Sequence, residues 1–489
     1  KGAYYTPKEI VQYMCRESLI AYLCTGIDQG TPEHQAISEF VKSYDAELLT
    51  GVELEGAGLG TKVLERLKEV KVCDPAIGSG AFPMGMLREL YNCRISLEDL
   101  SVSSAEIKSQ IIKSNIYGVD IEQGAVDIAR LRFWLSLVVD ETTPTPLPNL
   151  DYKIMQGNSL LEWYEGVDLS TLTQRKEDGC VELFDDLADV YRRQLRQAIS
   201  AYYGETDHDR KATLHQEISE AIDEQLKEQH YTVDLSGINV SANTHFFLWH
   251  TWFDEVFNRP SGRNGFDIVI GNPPYIQLQN NGGELAKIYQ GYGFKGFART
   301  GDIYCLFYER GYQLLREGGH LCYITSNKWM RAGYGEKIRG FLADNTNPIL
   351  LVDFAGIKVF EGATVDTNIL LFSKEKNEGK TLSVSLTKDV QLGRGELCQY
   401  VQQHATPSAF TTSESWVILS PIEQSIKRKI EAVGKPLKDW DIQIYRGVLT
   451  GCNEAFIIDE AKRAEILSNC QSDDERKRTE AIIRPILRG

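Results

Sequence analysis

Val70-Lys71-Val72-Cys73-Asp74-Pro75-Ala76-Ile77-Gly78-Ser79-Gly80-Ala81-Phe82 decides the fold. A short apolar run ends in an acid, two glycines follow, and a helical pattern begins at once. Gly78 and Gly80 carry no Cβ, so the backbone can turn tightly and approach a ligand at the carboxyl edge of a sheet. Asp74 sets an anion at that edge, which suits a positively charged ligand. An ordinary strand-to-helix turn uses the same glycines, and on these alone the two readings weigh equally. Upstream, Gly56-Ala57-Gly58-Leu59-Gly60 has glycines without a preceding apolar strand and reads as a loop.

Outward from this loop the pattern alternates. Strands are expected at 70–73, 116–119, 152–155, 266–270, 320–325, 349–354 and 368–372, with helices near 80–91, 123–138, 303–315 and 334–342. Such alternation predicts an α/β fold, a doubly wound and mostly parallel sheet. Residues 8–45 read as helical, with Ile10, Val11, Met14 and Leu19 at helical spacing after Pro7. Residues 165–245 are rich in charge and read as a helical insertion. Beyond 375 the pattern loosens, and a new unit is expected near Ser415. The expected division is therefore 1–70, a helical N-terminal segment; 71–375, the sheet domain; and 376–489, a further recognition region. Lys1 opens within a motif and Arg488-Gly489 closes nothing, so the expectation is part of a longer polypeptide.

At about 150 residues per domain, 489 residues make roughly three domains or two with large insertions. With 42% hydrophobic, 10% aromatic and 25% charged residues, the chain is neither disordered, collagen-like nor coiled-coil. No apolar run reaches the ~18 residues of a membrane span, and the N-terminus lacks a signal-peptide shape. Ten cysteines without a CxxC pair fit reduced thiols and a cytoplasmic location. Eight histidines show no zinc spacing; His245 and His250 flank Phe246 to Trp249, which reads as packed aromatic core. No metal site is expected. The net charge of −16 argues weakly against a polyanionic partner. Local clusters such as Lys427-Arg428-Lys429 and Arg476-Lys477-Arg478 undercut that average.

A second acid, Asp120, closes the second strand and could take both hydroxyls of a ribose. In nicotinamide-binding folds such an acid follows the glycines by ~20 residues; Asp120 lies about forty after Gly80, which disfavours a dehydrogenase. Asn158 ends the third strand, either to hydrogen-bond an adenine edge or simply to form a turn.

Phe266-Asp267-Ile268-Val269-Ile270-Gly271-Asn272-Pro273-Pro274-Tyr275 is the most informative stretch for chemistry. A buried strand ends in an amide and two prolines, which remove backbone donors and leave carbonyls as acceptors. A planar amine could donate one hydrogen to the Asn272 side chain and the other to the Pro273 carbonyl while its ring stacks on Tyr275. Two acceptors on one NH2 draw its nitrogen towards tetrahedral geometry and free its lone pair. A proline-rich loop with a packed tyrosine is the bland alternative.

These motifs, in this order, resemble the N6-adenine DNA methyltransferases of the gamma class. Gly2-Ala3-Tyr4-Tyr5-Thr6-Pro7 comes first, then the Asp74 to Gly80 loop, then Asn272 to Tyr275. Gly301-Asp302-Ile303-Tyr304, the runs 324–335 and 359–368, and Arg446-Gly447-Val448-Leu449-Thr450-Gly451 are similar to type IIG restriction-modification enzymes and phage-defence relatives. The resemblance implies a Rossmann-like sheet with its last strand antiparallel, S-adenosyl-methionine as cofactor and double-stranded DNA as partner. Tyr5, Thr6, Pro7, Asp74, Ala76, Gly78 and Gly80 would hold the cofactor's methionine end, Asp120 its ribose and Ile121 its adenine. Asn158 stands where many relatives carry Asp, which would leave an uncharged contact. Asn272, Pro273 and Pro274 would form the amine site, with Tyr275 and Phe360 on the two faces of a flipped adenine. Lys328, Arg331 and Arg446 would touch DNA, although each could equally be a solvated surface charge.

Rival expectations are another planar amine (cytosine N4, an RNA base, a glutamine amide) and a non-catalytic cofactor-binding DNA-recognition subunit. Glu69-Val70-Lys71 belongs to the entry into the first strand, so a nuclease, if there is one, is expected outside this chain.

Overall fold

The computed structural model describes residues 5–99, 101–139, 149–170, 187–205, 207–228, 238–259, 262–360, 365–387, 395–442 and 457–485. At its centre is a nine-stranded sheet. The strands are β1 (Val72–Asp74), β2 (Ile116–Asp120), β3 (Ile154–Gln156), β4 (Phe266–Gly271), β5 (Leu315–Ser326), β6 (Asn347–Asp353), β7 (Thr367–Ser373), β8 (Thr381–Ser385) and β9 (Thr406–Ser408). They lie in the order β9-β8-β6-β7-β5-β4-β1-β2-β3. From β3 to β5 every pairing is parallel. β7 wedges antiparallel between β5 and β6, β8 returns parallel to β6, and β9 closes the edge antiparallel.

Both faces are covered, so the central strands β1, β2 and β4 are mostly apolar rather than alternating with polar residues. Ile268 and Ile270 point into one core and Val269 into the other; Cys322 and Ile324 alternate with Leu321 and Tyr323 in the same way. The first face packs α1 (Lys8–Leu23), α2 (Pro32–Ser43), α3 (Leu59–Glu69), α4 (Ala81–Ile95), α5 (Ser104–Ser114) and α6 (Gln123–Val138). The second packs the insertion helices α7 (Leu187–Gly204) and α8 (His208–Glu228), the aromatic segment Phe246 to Phe257, part of α9 (Asn280–Gln290), α10 (Tyr304–Leu314) and α11 (Glu336–Asn345). The single helical stretch expected over 8–45 is two helices, α1 and α2, with a turn through Gly26 and Gly30 at positive φ between them.

The boundary expected at 375 does not hold. The sheet continues through β8 and β9, and α12 (Glu396–His404) packs Leu397 and Val401 against the first core. The unit expected to begin near Ser415 also starts later. Trp416 is buried, stacks on Phe410 at 4.8 Å and meets Trp329 edge-on at 5.2 Å. The first compact unit extends to Pro421. The second, Ile422–Gly489, contains among its described residues most of α13 (Pro421–Val433), α14 (Glu460–Ser468) and α15 (Asp473–Ile482). Among the described residues no helix is long and apolar enough to cross a membrane.

One ion cluster ties the amino edge of the central strands. Asp267, fully buried in β4, accepts from both Arg259 Nη atoms at 3.0 Å, from Arg316 Nε, and from the Lys71 backbone N–H at 2.8 Å. It thereby joins β4, the start of β5 and the approach to β1.

Candidate active site

β1 and β2 end side by side, with Asp74 opposite Gly118, and their acids hold the intervening loop. Asp74 Oδ1 accepts from the Ala76 N–H at 3.0 Å. Asp120 Oδ2 accepts from the Gly78 N–H at 2.8 Å, and its Oδ1 from the Glu122 N–H at 3.0 Å. Gly80 adopts a left-handed φ of 81° as it enters α4, and a Cβ there would lie 3.3 Å from the Ala129 Cβ. The glycine is required both by conformation and by the close approach of α6.

β4 delivers Asn272 to the same edge. A Cβ on Gly271 would lie 2.6 Å from Asp74 Oδ1, so the glycine is what lets the end of β4 press against the Asp74 carboxyl. One residue further on, Asn272 Nδ2 donates to Thr6 Oγ1 at 3.1 Å. Thr6 is buried, Pro7 opens α1, and Tyr5 is 70% exposed. Tyr5-Thr6-Pro7, the Asp74 loop and Asn272 thus converge although Thr6 and Asn272 are 266 residues apart.

Tyr275 donates through its hydroxyl to the Ile324 carbonyl of β5 at 3.3 Å. Its ring meets Tyr304 edge-on at 5.7 Å. The Phe360 ring centre lies 6.2 Å away with the planes at 59°. Two stacked steps of about 3.4 Å need parallel rings roughly 7 Å apart. Phe360, 2% exposed, therefore leans on Tyr275 here instead of forming the opposite wall of a slot.

Burial shapes the electrostatics. It pushes the Asp74 carboxyl well above its ordinary range, against the pull of the Ala76 N–H, and Asp120 nearby adds to the rise. Asp120 is also raised, chiefly by burial, with the Glu122 and Gly78 N–H groups opposing. Two carboxyls held this way favour a ligand that brings positive charge.

Ile121, directly after Asp120, is 43% exposed, an apolar surface at the lip of the crevice. Asn158 is nearly buried and engaged locally: Oδ1 accepts from the Leu160 N–H at 3.2 Å and Nδ2 donates to the Tyr289 hydroxyl at 3.4 Å. That geometry is the turn-forming alternative. Lys328 and Arg331 are both exposed and flank a cleft of about 310 Å³ with Asn327 and Asp353, where Arg331 reaches Asp353 at 3.8 Å. Arg446, with the run 446–451, lies outside the described residues.

Sequence reasoning gave no role to the strap behind Tyr275. Gly301 and Ile303 pair with Leu278 and Ile276 through backbone bonds of 2.9 Å each. Tyr304 and Tyr334 share a 2.8 Å hydroxyl contact beside buried Asp302. The Gly-Asp-Ile-Tyr motif was visible, but nothing local in the sequence says which tyrosine it would brace.

Residues 114–360 match the family described as Eco57I restriction-modification methylase. The chain is 25% identical to a putative type II restriction enzyme and methyltransferase of Methanocaldococcus jannaschii over 78% of this chain and 36% of that protein. It is 24% identical to the type II restriction enzyme and methyltransferase RM.Eco57I of Escherichia coli, over 80% and 33% respectively. It is also 22% identical to the adenine-specific methyltransferase BrxX of Escherichia coli O9:H4, over 70% and 28%. The chain spans about a third of the length of these relatives.

Proposed function

Because the chain belongs to the Eco57I restriction-modification methylase family, we propose that it is the modification part of a type IIG-like system, methylating the N6 amine of an adenine rotated out of double-stranded DNA. S-adenosyl-methionine is the cofactor, and when bound it supplies an electrophilic methyl group on a sulfonium. The crevice fits it. The raised Asp74 and Asp120 carboxyls favour a positive charge, glycine backbone lines the approach, and an apolar Ile121 stands at the rim. Asp74 and Thr6 would face the charged end, Asp120 the ribose and Ile121 the purine.

The observation that carries this reading is the meeting of Asn272 with Thr6 while Gly271 abuts Asp74. That meeting supports an amine acceptor beside the cofactor loop, and positioning is most of what such a transfer requires. Asn272 Oδ1 and the Pro273 carbonyl take the two amine hydrogens, bending the nitrogen out of conjugation, so no general base is needed before attack. Pro274, lacking an N–H, presents no competing donor. Rotating the base out costs a few kcal/mol, and stacking on Tyr275 returns about 1–3 kcal/mol. Lys328 and Arg331 would meet phosphates near the cleft. The protein would act in the cytoplasm, where its DNA is.

The test is incubation with mixed-sequence DNA, RNA and protein plus methyl-labelled cofactor, followed by mapping of modified bases. Label at adenine N6 in DNA is expected. Label confined to RNA, protein or cytosine, or cofactor binding without transfer, would overturn the reading.

Two further outcomes follow. Tyr275→Ala should lower single-turnover rates by roughly 5- to 150-fold, the equivalent of one stacking contact, and Phe360→Ala by less, since its ring leans on Tyr275; cofactor affinity should change little in both by equilibrium dialysis. Loss of cofactor binding in either would contradict the assigned roles. In the second, cofactor affinity should fall as pH is lowered. A bound cation favours ionised Asp74, whose raised value means a proton must leave on binding, costing up to about tenfold per pH unit below it. Stability runs the other way: the native state holds that proton more tightly than the unfolded chain, so Asp74 lowers stability as pH rises from the ordinary carboxylate range through the raised value. Asp74→Asn should flatten both profiles in dialysis and melting series.

A further inference from the structure

We propose that Thr6 is a positioning residue for the target amine, acting through the amide of Asn272; the inference rests on the reading above and deepens it. An asparagine side chain has two nearly isosteric ends, and the amine site works only if the oxygen, not the NH2, faces the substrate. An NH2 turned towards a substrate amine would set donor against donor. The amide must therefore be held in place. Thr6 Oγ1 holds it by accepting from Nδ2 at 3.1 Å, with the nitrogen at the start of α1 and the oxygen at the opposite end of the amide.

Thr6 is well placed to hold that choice. It is 3% exposed, so water competes poorly for the bond. It directly precedes Pro7, whose carbonyl accepts the Ile10 and Val11 N–H groups at 3.1 and 3.0 Å and anchors the segment to the first turn of α1. That helix is fixed by Ile10, Met14 and Leu19 in the core. Asn272 is fixed from the other side, where Gly271 abuts Asp74. The bond therefore joins two rigid elements, and the amide between them is preset before any base arrives.

The test compares Thr6→Val, which keeps the shape and removes the acceptor, with Thr6→Ser, which keeps the acceptor. Thr6→Val should lower kcat for DNA methylation by about tenfold to a hundredfold, beyond any change in cofactor affinity, with KM for DNA within about threefold of wild type. Thr6→Ser should restore kcat. Alongside turnover, proton exchange of isotope-labelled asparagine side chains reads the bond directly. The Asn272 NH2 signal, identified by its loss in Asn272→Ala, should be protected in wild type and Thr6→Ser and unprotected in Thr6→Val. Thr6→Ala with a matched melting temperature serves if valine disturbs the packing. Unchanged protection in Thr6→Val, or a loss lying wholly in cofactor affinity, would overturn the proposal. A wild type that fails to methylate DNA would sink the functional reading, and the exchange measurement would still decide the role of Thr6.

Discussion

On the proposed function, Asn272→Ala should lower methyl transfer to DNA by about a hundred- to a thousandfold, the scale expected when one preorganised polar contact is removed from a reacting centre. Cofactor and DNA affinity stay within about threefold. The split follows from where the residue sits. Its side chain bonds to Thr6, while the Asp74 and Asp120 carboxyls hold the loop through the Ala76 and Gly78 backbone N–H groups. In the proposed mechanism the substitution leaves only the Pro273 carbonyl where two acceptors would reshape the amine. Single-turnover methylation, dialysis with the cofactor and DNA gel shifts measure the three quantities separately. A variant that binds cofactor tenfold more weakly, or that still methylates at more than a tenth of the wild-type rate, would show that the amide does something else.

Asp267→Ala destabilises the protein by about 3–5 kcal/mol, because it strands buried cations that lose their counter-charge. Arg259 and Arg316 are 8% and 9% exposed at their side chains. Both depend on one carboxylate that also accepts the Lys71 N–H. Denaturant midpoints at unchanged m-value measure the loss, and Asp267→Asn separates charge from volume. A cost below about 1 kcal/mol would mean that water reaches the arginines. The effect extends to chemistry, since β4 begins beside this cluster and ends at Asn272.

The fold was legible wherever both faces of a strand are buried. Val72 to Asp74, Ile116 to Asp120 and Phe266 to Gly271 are short apolar runs ending in acid or glycine, and each is a strand of the sheet. The 375 boundary failed for the opposite reason. Thr381 to Ser385 is five residues with two serines and a threonine, whose polar groups are satisfied by backbone and neighbours, such as Thr381 Oγ1 to the Pro348 carbonyl at 2.9 Å. A polar strand of that length carries no periodic signal. The candidate acids close strands and the loop glycines and Asn272 follow strand ends, which is what singles them out in the sequence. Contacts between distant segments were not. Nothing local pairs Thr6 with Asn272, Asn158 with Tyr289, or Gln277 with Asp302.

The resting contact between Tyr275 and Phe360 carries a kinetic consequence for the proposed reaction. A mismatch or nick beside the target eases departure from the helix but does nothing to separate two aromatic rings already leaning on each other. Acceleration by weakened pairing should therefore level off once ring parting becomes the slower event. Beyond that plateau the enzyme would be indifferent to how loosely its substrate is held.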